Sequence, residues 1–135
     1  MLERINNNND LLAIIIYRNY LCTGIEFLTP DEASMQVGVM CHPQGHKILP
    51  HLHVPSERSI KDTQEVIFIR KGKARVDFYD DDKIYLKSRT IDAGDVILLI
   101  SGGHGFTVLE DIEMIEAKTG PFMGESDKVK FIPHS

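Results

Sequence analysis

A chain of 135 residues, with fifteen Lys and Arg against twenty Asp and Glu and a formal charge of −5, has room for one core and no second module. Its 42% hydrophobic content excludes wholesale disorder, and the acidic balance leaves no basic stripe for a phosphate backbone, so nucleic acid is not an expected partner. Two cysteines are too few for a disulfide scaffold, so Cys22 and Cys41 are expected as reduced thiols, with Cys41 as an alternative outer ligand to the site built around Gly45.

In chain order, residues 1–10 are polar and Asn-rich and read as a loop or arm. Residues 11–20, LLAIIIYRNY, are β-branched and predict a strand, and their lack of alternation predicts burial on both faces, against the chain's own core or a second subunit's sheet. Leu11–Tyr17 is too short to span a bilayer and follows no basic leader, so no membrane partner and a cytoplasmic location are expected. Thr29-Pro30-Asp31-Glu32 suits a turn or a single helical turn. Residues 35–40 alternate as a strand, HPQGH turns around Gly45, and ILPHLHV predicts a strand with Pro50 at an irregular or edge position. Residues 56–64 read as a loop and Glu65–Arg70 as a strand. Lys71-Gly72-Lys73 predicts a reversal into ARVDFY. Asp80, Asp81 and Asp82 read as a hairpin turn rather than a calcium loop, because the spaced ligands and closing Glu are missing. After Asp92–Asp95 come VILLI, a break at Ser101-Gly102-Gly103, HGFTVLED and IEMIEA. Strands at this spacing, with no long helix and no repeat, predict an all-β sandwich or barrel.

Residues two apart on a strand face the same way, so His51 and His53 are expected to point together while Leu52 packs on the other side. Glu65 heads the next strand, and His104 follows the glycine break. Three imidazoles and a carboxylate are donors that suit one divalent transition metal, with coordination positions left open for a substrate. Glu57 is a candidate base. His42 and His46 flank the turn at Gly45, at the mouth or in solvent. Arg58 and Lys61 are candidates to grip a carboxylate or phosphate, or are simply solvated. His134 lies in the tail, a poor place for a ligand.

The pattern Gly45-(five residues)-His51-x-His53 with Glu65-(six residues)-Gly72 resembles the first motif of the cupin superfamily, and Gly94-Asp95 with His104 resembles the second. The resemblance implies a cupin-type double-stranded β-helix, or jelly-roll barrel, as a single domain over 1–135. Its core would cover about 35–117, preceded by the strand at 11–20 and followed by an extension at 118–135. It implies one divalent ion per subunit (Fe, Zn, Mn or Ni) on His51, His53, Glu65 and His104, and a homodimer. Two departures stand out. The interval from His53 to Glu65 is longer than in the family, which predicts a long loop over the barrel mouth and leaves Glu57, at the family's usual short spacing, as a rival ligand, and Val108 stands where the family has Asn. The expected function is a metal-dependent enzyme on a small polar or carbohydrate-like molecule, of oxygenase or sugar isomerase/epimerase type, with Glu57 as catalytic base. The alternative is a non-catalytic, metal-stabilised small-molecule binder.

Overall fold

A computed structural model of the protein describes residues 1–133, so His134 lies outside the described residues. The chain forms β1 (Leu2–Asn7), β2 (Asp10–Ile16), β3 (Gly24–Phe27), β4 (Gly38–Cys41), β5 (Glu65–Tyr79), β6 (Tyr85–Asp92), β7 (Val96–Leu99) and β8 (Gly103–Lys118), with a 3-10 turn at Glu125–Asp127. Among the described residues, no helix is long and apolar enough to cross a membrane. One antiparallel sheet runs β1-β2-β7-β5-β6, β8 lies along the other edge of β5, and β3–β4 is a separate two-stranded ribbon. The domain is therefore all-β, with a curled, half-open sheet. The ends of the path, β1 and β6, share no ladder and are joined by side chains, the Arg89 guanidinium reaching Glu3 Oε2 at 2.7 Å.

Several local expectations are corrected. Residues 1–10 are not a loop, because Leu2–Asn7 pairs with β2 through a tight turn in which Asn8 takes φ +56. The 35–40 run is paired only from Gly38. Thr29-Pro30-Asp31-Glu32 is a turn, as expected, closed by Ala33 N–H donating to the Pro30 carbonyl at 3.0 Å and by the Gln36 amide donating to the carbonyls of Pro30 and Ala33. ILPHLHV has no strand partner, since Pro50 within it and Pro55 just after it each lack a ladder donor. Lys71-Gly72-Lys73 is not a reversal, because β5 continues through it from Glu65 to Tyr79. Likewise HGFTVLED and IEMIEA are one strand, β8.

Gly72 decides the curl. Before it the buried positions of β5 are Ile67 and Ile69, and after it they are Ala74, Val76 and Phe78, with Tyr79 at the strand's irregular end, so the inward parity slips by one residue. Such a slip is a β-bulge, which bends the strand and sharpens its twist. The register against β8 shifts at the same place, and Gly72 takes φ +88 with a Cβ position that would collide with the Asp111 carbonyl. Beyond the bulge β5 exchanges its neighbour β7 for β6.

The curled sheet encloses Ile5, Ala13, Ile15, Ile67, Ile69, Val76, Phe78, Ile91 and Ile97. The other face of β2, Ile14 and Ile16, is covered by Leu28 with Met35, Val37 and Val39 from the ribbon and its loop. Burial on both faces is as expected, and the cover comes from this chain. The Asp80 carboxylate accepts from the backbone N–H groups of Asp82 and Ile84, so the acidic triplet is a self-capped hairpin turn.

Candidate functional site

Glu65 and His104 sit at opposite ends of the β5–β8 ladder, Glu65 opposite Lys118 and His104 opposite Phe78. A straight ladder of that length would hold them roughly 40 Å apart at about 3.3 Å per residue. In the curled sheet His104 Nε2 lies 4.0 Å from Glu65 Oε1. The cause is local. Leu99 at the end of β7 pairs with Glu65, and the short link through Gly102 delivers the chain straight into β8. Gly102 takes φ +73, and any Cβ there would be 2.6 Å from the Tyr79 carbonyl. Only glycine lets the two ends of β5 approach so closely.

Both side chains line a cleft of about 930 Å³ between this sheet face and the segment 119–133. A smaller recess of about 60 Å³, lined by Thr63, Leu99, Ser101, Glu65 and His104, adjoins it. The far wall is pinned at three points. Thr119 N–H donates to the Gln64 carbonyl at 3.0 Å, Thr63 Oγ1 donates to Asp127 Oδ2 at 3.2 Å, and the Phe131 ring packs edge-on against Tyr79 at 5.1 Å. Gln64 is itself buried, with its side-chain carbonyl accepting from Met35 N–H.

The electrostatics of the floor are unusual. Burial is the largest influence on Glu65, followed by a carboxyl–carboxyl hydrogen bond to Glu116 and the charge of Glu116, and its pKa is pushed up to about 7, against the smaller opposing influence of Lys118 and Lys128. Burial holds His104 below the ordinary imidazole range, partly offset by Glu116, so its ring is neutral at pH 7. A carboxyl that exchanges its proton near neutrality, beside a neutral imidazole and a second carboxylate, is equipped for acid–base chemistry. Phe106 lies edge-on to His104 at 6.0 Å, and with Ile67 it supplies the apolar part of the floor.

Two of the four expected metal ligands are thus brought together, Glu65 and His104. His51 and His53 face each other at 5.2 Å, but on a run from Pro43 to Thr63 in which every residue is exposed, and neither lines the cleft. Glu57, Arg58 and Lys61 lie on the same run and also do not line it. His42 and His46 stack at 4.0 Å beside the turn. Among the described residues, no group of three or more His, Cys, Asp or Glu side chains is placed to hold a metal ion, so the expected donor set is not assembled. Sequence reasoning missed Glu116 and the cationic Lys118 and Lys128. A signal for Glu116 was present in its same-face spacing with Met114 and Lys118, but nothing in one dimension pairs it with Glu65.

No protein-family model matches the chain, and no curated protein or solved structure matches it.

Proposed function

We propose that the protein binds a small polar, carbohydrate-like molecule in the 930 Å³ cleft and moves a proton on it, as an isomerase or epimerase would, with Glu65 as the exchanging acid–base group. The observation that carries this reading is the Glu65–Glu116–His104 group on the cleft floor, with a carboxyl poised near pH 7. A group whose pKa lies near the working pH combines adequate basicity with adequate population of both protonation states. Glu116 on the same cleft lining favours the protonated form of Glu65, and neutral His104, 4.0 Å from Glu65 Oε1, is available to accept or relay a proton. Tyr79, Phe106 and Phe131 supply apolar surface for a ring face. On this reading the base is Glu65 rather than Glu57, and the domain is a small cupin-like barrel, cytoplasmic and homodimeric.

The test is solvent exchange. The protein is incubated in D₂O with a panel of aldoses, ketoses and sugar acids, and deuterium entering a carbon-bound position is followed by NMR. Exchange that is lost in Glu65→Gln and reduced in His104→Phe supports the reading. Exchange that is unaltered in both variants, or absent across a panel that does not bind, sinks it.

A second reading keeps the divalent ion, of Fe, Zn, Mn or Ni type. It is favoured by the adjacency of Glu65 and His104 and by the attachment of the His51–His53 run to the cleft wall at Thr63. The donors as placed do not fit an ion, so no chemical step is assigned to one. Elemental analysis of protein purified without a metal-affinity tag decides the matter. A stoichiometric metal lost in both His51→Ala and Glu65→Ala supports this reading, and substoichiometric metal in the parent protein ends it.

A further inference from the structure

The ribbon β3–β4 carries chemistry that the cleft does not use. Cys22 precedes β3 by two residues, and Cys41 is the last residue of β4, where it pairs with Gly24. Their sulfur atoms are 2.7 Å apart, with the Cys22 thiol donating toward Cys41, while Cys41 is exposed and Cys22 half-buried. Neither sulfur lines the cleft. Two thiols in contact across the open end of a short ribbon already occupy the geometry that a cross-strand bridge needs.

We propose that Cys22 and Cys41 are a reversible dithiol–disulfide pair, oxidised by low-molecular-weight disulfides such as glutathione disulfide and locking the ribbon end when joined. Cys41, the exposed member, attacks first as the thiolate, forming an S–S bond to one glutathione sulfur and releasing the other glutathione as thiolate. The Cys22 thiol then gives its proton to solvent, its sulfur attacks Cys41 Sγ, and the second glutathione leaves. The two cysteine thiols are oxidised by two electrons, and one glutathione disulfide becomes two glutathione thiols. The order agrees with Cys22 being the poorer initial nucleophile, since its hydrogen bond to Cys41 holds its pKa up at about 11.

The bridge would close a loop containing Leu28, Met35, Val37 and Val39, the residues that cover Ile14 and Ile16 of β2. It would also tie down the point where the chain leaves β4 for the exposed run of residues 43–63. Oxidation therefore stiffens the cover over Ile14 and Ile16 without touching Glu65 or His104.

The experiment treats the full chain with glutathione disulfide and follows intact mass and a non-reducing peptide map. The expected result is loss of two hydrogen atoms with a Cys22–Cys41 cross-link, reversed by dithiothreitol. It should form roughly tenfold or more faster in the folded chain than in guanidinium, because contact raises the effective thiol concentration. Cys22→Ser should instead trap a stable glutathione adduct on Cys41. Cleavage at Glu26 and Glu32 by a Glu-specific protease should slow on oxidation. Accumulation of the glutathione adduct in the parent protein, cross-linked dimers, or equal rates in folded and denatured chain would each overturn the proposal.

Discussion

Glu65 and Glu116 are diagonal neighbours on one face of the β5–β8 ladder, Glu65 opposite Lys118 and Glu116 opposite Ile67, so both carboxyl groups share the lining of one cleft. Two carboxylates so close cannot both ionise at low cost, so the pair retains a proton toward neutrality.

That retained proton makes stability depend on pH in a definite direction. Glu65 has a folded pKa of about 7 against an ordinary value of 4.5. Between these values the unfolded chain has lost the proton and the folded chain keeps it, so stability falls as pH rises through the window and levels off above 7. Glu65→Gln cannot ionise and escapes this loss. The variant should gain on the parent by about 1–2 kcal/mol between pH 4.5 and 7.5 once solvent screening is included. His104 acts in the opposite sense. Its lowered pKa contributes stability above the unfolded value of 6.5 that is lost as pH falls. The quantity to measure is therefore the difference between the urea midpoints of variant and parent across pH. A flat difference curve would refute the carboxyl pairing.

Gly72→Ala should cost about 3 kcal/mol or more, since it combines a positive φ with a Cβ driven into the Asp111 carbonyl. Chemical denaturation measures the loss. Because the bulge sets the curl, the variant should also disturb the His104 ring environment by NMR, although Gly72 is far along β5 from it.

Asp95 is buried, with Oδ1 accepting from Arg18 N–H at 2.8 Å and Oδ2 from Asp92 N–H at 2.7 Å. Asp95→Ala leaves both donors unpaired and should destabilise by about 2–4 kcal/mol. Asp95→Asn keeps one acceptor and should fall between parent and Ala by thermal or urea unfolding. Equal losses for the two variants would remove the case for two separate hydrogen bonds.

Arg89 reaches both oxygens of Glu3, and Tyr17 Oη donates to the same carboxylate at 2.9 Å, bridging the unpaired edges of β1 and β6. The pair is partly exposed, so Arg89→Met should cost only about 1 kcal/mol. Its clearer signature is faster amide exchange in β1 and β6 with β7 unchanged. Uniformly faster exchange would mean that the bridge does not act at the edges.

Much of this protein was legible along the chain. The β-branched run after Asp10 dictated a strand buried on both sides, because apolar surface without alternation has no face to offer water. The Asp80–Asp82 hairpin and the glycine break before His104 followed from turn chemistry, and Glu65 and His104 were picked out by residue type. What the chain could not express was continuity and closure. Gly72 reads locally as a turn, since a positive-φ glycine serves a reversal and a bulge equally well, and only the ladder with β8 distinguishes them. The two prolines around His51 and His53 outweighed the apolar pattern between them, so that the most conspicuous histidines lie on an unpaired, exposed run. Glu116 became Glu65's partner through the strand register, and His104 came to Glu65 through the curl that the Gly72 bulge imposes. Residue type and spacing determine which groups are able to do chemistry, but which of them meet depends on long-range pairing, whose energy is shared among strands distant in sequence.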